Sequence, residues 1–201
     1  VQVFAARAFS WRGILGVHTW IAVKPTNASA YTVYQLVGWR LRRGENPVVI
    51  EHDIPDRLWY DAMPELLVDV RGAGVDAVIE EIDIAAKSYP YKNTYSVWPG
   101  PNSNTFIAWI GRLVPELRLD LPATAIGKDW LGGGRIFARA PSGTGYQLSL
   151  FGLFGILLGL EEGLEINIFG LNFGIDALDT NLRLPGIGRI GPSNKVKPRT
   201  L

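Results

Sequence analysis

The sequence predicts an α+β fold, an antiparallel sheet packed on helices and followed by a glycine-rich β extension. Three observations predict it. Runs of β-branched and aromatic residues with period-two alternation fill most of the first 71 residues. Two later segments carry apolar residues at three-to-four spacing, the mark of amphipathic helices. Fifteen of the 23 glycines then fall between Gly127 and Gly191, so the chain changes character there. The boundaries that follow are 1–126 for the core, 127–191 for the extension and 192–201 for a basic tail.

Taken in order, "VQVFAAR" and "GVHTWIAVK" read as two strands separated by a turn at "WRG". "PTNAS" is a loop, "AYTVYQLVGW" a third strand and "RRGENP" a charged turn before the short strand "VVIEH". "DIPDRLWYDAMP" is mostly loop, and "ELLVDVRG" is another strand. Gly74 to Ser88 is the clearest helix, because Val75, Val78, Ile79, Ile82 and Ala86 share one face while Glu80, Glu81 and Asp83 face mostly away. A Tyr-rich, Pro-broken segment precedes "GPNSNTFIAWIGRL". There Phe106, Ile107, Ile110, Leu113 and Val114 define a second helix, with Asn102 or Ser103 as its cap and Pro115 at its end. In the extension, "YQLSLFGLFGILLGL" and "LEINIFGLNFGID" read as one strand each, joined by a turn at "EEG". Glycines at 152, 155, 159, 170 and 174 mark bends or close backbone approach. The apolar run is read either as core or as a platform for lipid or a protein partner.

Composition excludes several functions. Twenty basic against nineteen acidic residues leave a net charge of +1, which argues against a dedicated nucleic-acid binder. No cysteine is present, so disulfides, thiolate metal sites and a Cys nucleophile are absent. The longest apolar run, Leu150 to Leu160, is about half the roughly 20 residues that a spanning helix needs. Past Asp179 there is no acid, while Arg183, Arg189, Lys195, Lys197 and Arg199 follow. They read as a solvated tail, with weak contact to anionic lipid or a partner as the alternative.

Several motifs fail on inspection. "GIGRIG", Gly186 to Gly191, fits G-x-G-x-x-G, but no helix can follow it and the acid expected downstream does not exist. "LGGGR" lacks the Lys-Ser/Thr of a phosphate loop and reads as a turn. His52, with Asp53 and Asp56, is too poorly supplied with ligands for a zinc site, so no metal and no cofactor are expected. His18 differs, because it sits within an apolar strand between Val17 and Trp20. Buried there, it needs hydrogen-bond partners, and it is either a satisfied core histidine or a general base.

"WRGILGVHTWIAVK", "WPGPNSNTFIAWI", "PATAIGKDWLGGG", "APSGTGYQLSLFGLFG" and "LPGIGRIG" together resemble the bacterial domain-of-unknown-function family numbered 3750, nearly end to end. A more distant resemblance is to circularly permuted papain-like domains of the lecithin:retinol acyltransferase and PPPDE groups. Those place a strand-borne His early and an Asn-Cys turn at a helix start later. "GVHTWIAVK" is similar to the first element and "PNSNTF" to the second. The resemblance implies His18 as general base and Ser103 at the nucleophile position. Gln35 or Tyr34 would orient the imidazole, and Asn102 and Asn104 would support an oxyanion.

Serine in place of cysteine changes the chemistry. A helix N-terminus favours an anion by at most about 2 kcal/mol, roughly 1.5 pKa units. That ionises a thiol near neutrality but leaves a hydroxyl protonated, so Ser103 can attack only if His18 removes its proton in the same step.

Two function classes follow. One is a Ser-His acyl hydrolase or acyltransferase acting on an acyl, ester or amide small molecule or a lipid. The other is a non-catalytic, envelope-associated binding or structural protein, with a degenerate site and a membrane or protein partner held through 146–175 and the basic tail. The first requires His18 and Ser103 in contact at the floor of an open cleft. The second buries both and exposes "LFGLFGILLGL". An envelope location is the expectation for either.

Overall fold

The computed structural model describes residues 1–201 except 179, 193–195 and 197. Among the described residues, thirteen strands form two sheets, and two α-helices pack on the first. The first sheet comprises β1 (Gln2–Arg7), β2 (Val17–Val23), β3 (Thr32–Leu36), β4 (Val48–His52), β5 (Glu65–Arg71) and β13 (Arg199–Thr200), in the order β13-β5-β1-β2-β3-β4. All its neighbours are antiparallel except β13, which runs parallel to β5.

Period-two alternation gives this sheet two apolar faces. Val3, Ile21, Val23, Tyr34, Leu36, Val68 and Val70 point to one side, where α1 (Val75–Lys87) and α2 (Ser103–Leu113) cover them. Val78, Ile79, Ile82, Phe106, Ile107 and Ile110 are the helical contribution to this larger core. Phe4, Ala6, Trp20, Ala22, Val33, Val37 and Val49 point to the other side, where the 54–63 loop lays Trp59 over them. The Trp20 indole N–H ties that loop down by donating to the Pro55 carbonyl at 2.7 Å.

The second sheet is a seven-stranded antiparallel meander in sequence order. It comprises β6 (Phe137–Arg139), β7 (Gly145–Leu150), β8 (Phe154–Gly159), β9 (Gly163–Ile168), β10 (Leu171–Asp176), β11 (Asn181–Leu184) and β12 (Gly188–Ile190). Each of the two long segments expected as a single strand is a hairpin. "SLFGLF" turns at Phe151 and Gly152, and "IFGLN" turns at Phe169 and Gly170, all four with positive φ. The loose likeness between the two segments is therefore two Phe-Gly turns of matching handedness.

Two expectations about the tail are corrected. Arg183 is buried among carboxylates rather than solvated, because it lies on β11 with its side chain pointing into the molecule. Arg199 belongs to β13 and donates to the Leu117 carbonyl. Asp179, Lys195 and Lys197 lie outside the described residues. Among the described residues, no helix is long and apolar enough to cross a membrane.

Candidate functional site

The start of α2 is built by its two asparagines. Asn102 is the N-cap, and its Oδ1 accepts from the Asn104 and Thr105 N–H groups at 2.9 and 3.0 Å. The Thr105 hydroxyl closes a capping box by accepting from the Asn102 N–H at 2.7 Å. The Asn102 side-chain amide donates to the Val97 and Ile126 carbonyls. The Asn104 amide donates to Val17 and Ile126, and its Oδ1 accepts from the Thr19 hydroxyl at 3.0 Å. Every N–H of both side-chain amides is therefore committed to backbone carbonyls, and the Asn104 main-chain N–H to the Asn102 side chain. These groups join the α2 start, β2 and the 97–126 segments, and none is left to face an oxyanion.

Ser103 occupies the first helical turn rather than the cap, so its expected alternative as the capping residue passes to Asn102. Its side chain is buried. Its hydroxyl makes no hydrogen bond among the described residues.

His18 is buried on the opposite side of the sheet. β2 alternates, so His18 shares a face with Trp20 and Ala22, while Thr19 and Ile21 point to α2. The imidazole stacks on Trp59, with ring centroids 3.7 Å apart and planes 10° from parallel. His18 Nε2 donates to Gln35 Oε1 at 3.0 Å, which assigns the proton to Nε2. Burial lowers the His18 pKa to about 4, against the Gln35 hydrogen bond, with the Arg57 charge adding to the fall. The ring is thus a neutral part of an aromatic cluster.

Of the two candidates for orienting the imidazole, the structure brings Gln35 to His18 and takes Tyr34 away. Adjacent strand residues face opposite sides, and the Tyr34 hydroxyl donates instead to Asp83 of α1 at 3.2 Å. Burial first, and then Asp83, raise the Tyr34 pKa and keep it protonated. His18 and Ser103 are likewise not joined. They lie on the two sides of one sheet.

The family model described as a protein of unknown function, DUF3750, matches residues 1–130. The chain belongs to the DUF3750 family. The match spans all six residues singled out above and ends before β6, so "APSGTGYQLSLFGLFG" and "LPGIGRIG" fall outside it. No curated protein and no solved structure matches this DUF3750 chain.

The second sheet holds the residues that sequence reasoning missed. Its polar side chains face inward. Lys128 Nζ donates to Glu165 at 2.5 Å and to the Leu121 carbonyl at 2.9 Å. Arg183 pairs with Asp120 at 2.5 Å, Glu165 at 3.0 Å and Asp176 at 3.3 Å. Gln147 and Asn167 both donate to Asp129. Burial opposes the Arg183 charge, but the three carboxylates outweigh it and hold the pKa up. The amides of Asn172 and Asn181 are buried without a hydrogen-bond partner among the described residues.

The outward side is apolar, and cross-strand register arranges it in rows. Tyr146, Leu158, Leu164 and Ile175 form one. Leu148, Ile156, Ile166 and Phe173 form the next, and Leu150, Phe154, Ile168 and Leu171 the third. All are exposed except the half-buried Leu171. Phe137, Leu182 and Ile190 extend the rows to the flanking strands. This is the reverse of a half-solvated antiparallel sheet, which keeps its apolar side on the core. The alternation was legible in "LEINIFGLNFGID"; its direction was not.

Proposed function

We propose that this DUF3750 chain is a non-catalytic docking module, with an α+β core that carries an apolar β-sheet face to a partner. The observation that carries this reading is the reversed sheet. Twelve side chains in three rows contain no charge, and an exposed apolar patch of this extent is an interaction surface. The buried His18, the buried Ser103 and the fully committed amides of Asn102 and Asn104 support the same reading. They do so because a hydrolase needs those groups convergent and open to substrate.

A Ser-His acyl hydrolase on a permuted papain-like scaffold is the second reading. It is favoured by one observation, the Ser103 hydroxyl that makes no hydrogen bond among the described residues beside a helix start. It requires a base on the α2 side of the sheet, where β2 offers Thr19 rather than His18.

Two measurements test the proposal. A fluorophosphonate probe is expected to leave the folded parent unlabelled; labelling that both Ser103→Ala and His18→Ala abolish would replace docking with catalysis. Hydrodynamic mass and flotation with phospholipid vesicles are then compared for the parent, an Ile156→Lys/Ile166→Lys variant, and Ile84→Lys on the exposed face of α1. Association is expected in the parent and in Ile84→Lys, and is lost in the sheet variant. A parent that associates with neither itself nor vesicles sinks the reading.

A further inference from the structure

We propose that the apolar face of the second sheet is covered by the same face of a second copy of this chain, forming a two-fold β-sandwich between protomers. This rests on the docking reading above and names its partner.

Area, charge and edge design argue for a copy. Seven strands about 4.8 Å apart, about 20 Å long in β7 to β10 and about 10–14 Å long in β6, β11 and β12, give a flat footprint of about 550 Å², and the projecting side chains raise the accessible area above that. A stable complex buries about 800 Å² on each partner, and permanent dimers do so with apolar surface. The three rows carry no charge, and the one exposed charge in register with them, Arg139 beside Tyr146, lies on the edge strand β6, so placing the rows against themselves opposes no like charges at their centre. Two such sheets pack about 10 Å apart with their strands about 30° from parallel, and their side chains interdigitate. Association through the edges is disfavoured, because both edge strands, β6 and β12, are only three residues long. The interface is therefore the face.

A lipid surface fits less well. Amphipathic elements that lie on membranes combine apolar residues with flanking Lys and Arg, and use Trp and Tyr at the headgroup level. The rows contain one tyrosine and no tryptophan, and the tryptophans beside the sheet, Trp98 and Trp130, lie at the Gly170 and Gly152 turns of one end only. Of the nearby arginines, Arg183 is buried in the carboxylate network, Arg189 reaches Asp120, and Arg139 alone is exposed beside the first row, too little for a basic flank. Strands of six residues are also shorter than the roughly 9–11 residues that cross a bilayer.

The experiment uses the full 201-residue chain, which has no cysteine. Light scattering over a concentration series is expected to give twice the 22.1 kDa chain mass. Ile156→Lys/Ile166→Lys is expected to weaken self-association by roughly a hundredfold or more, because each new charge would be buried without a partner. Ile84→Lys leaves it unchanged. Single cysteines at Ile156, Leu158, Leu164 and Ile166 test the geometry. At least one is expected to form an interprotomer disulfide on mild oxidation, and Ile84→Cys is not. A monomer at every concentration that floats with phospholipid vesicles overturns the second copy and leaves the docking reading standing. A monomer that does not float overturns both. A dimer unaffected by the two lysines and crosslinked at none of the four sites also overturns the proposal.

Discussion

His18 and Ser103 illustrate how residue chemistry depends on which way a side chain points. His18 is neutral because its ring is stacked on Trp59 and surrounded by the second apolar cluster. The sign of the resulting pH dependence follows from its pKa. The folded value is about 4, below the unfolded 6.5, so the unfolded state takes up the proton first as pH falls. Stability is full above about 6.5 and declines by about 3 kcal/mol between there and about 4. Urea midpoints measured from pH 7 to pH 4 are expected to show this loss, and His18→Gln to flatten it. At the start of α2, Asn102→Ala removes a cap and two backbone tethers and is expected to cost about 2 kcal/mol or more. Ser103→Ala removes a hydroxyl that makes no hydrogen bond among the described residues and is expected to cost under about 0.5 kcal/mol. Denaturation of the two variants side by side separates a structural asparagine from a dispensable serine.

At the scale of elements, α2 and the hairpins follow different rules. α2 begins where its capping box dictates, and its apolar stripe decides which side of the first sheet it covers. The hairpins of the second sheet place bulky aromatics at turn positions that favour Gly or Asn. Phe151 has φ 56° and Phe169 φ 52°, and both are exposed. A left-handed conformation disfavours such side chains by about 1–2 kcal/mol. Phe151→Asn is therefore expected to stabilise the fold by about 1 kcal/mol in urea unfolding, while removing apolar surface beside the docking rows. That the chain holds a phenylalanine there fits a surface shaped for contact rather than for the stability of the lone protomer.

The whole molecule is organised by the charged seam between its two halves. Lys128 and Asp120 come from the segment after α2, and Glu165, Asp176 and Arg183 from the second sheet. Removing one member of such a buried network costs about 3–5 kcal/mol, since its partners lose their counter-charge. Arg183→Met leaves Asp120, Glu165 and Asp176 facing one another. It is expected to lower the thermal midpoint sharply at pH 7, and less at pH 4, where carboxylates begin to protonate. Calorimetry at the two pH values checks this.

The sequence by itself determined the α+β class, the five antiparallel strands of the first sheet, both helices with their apolar faces, and the importance of "NSN" to the start of α2. These are local properties. Periodicity, caps and turn residues act within a few positions, and the chain carries them wherever it folds. Two matters of direction were decided only by tertiary structure. Alternation shows that His18 and Thr19 point to opposite sides of β2, but which side α2 covers depends on contacts 85 residues apart, such as Thr19 with Asn104. Likewise, the alternation of Glu165, Asn167, Asn172 and Asp176 with Ile166, Ile168, Phe173 and Ile175 defines two faces without saying which meets the core. Lys128, Asp129 and Asp120 choose the polar one, because buried charges must find their counter-charges. That choice turns the apolar rows outward and makes them the surface on which the proposed function rests.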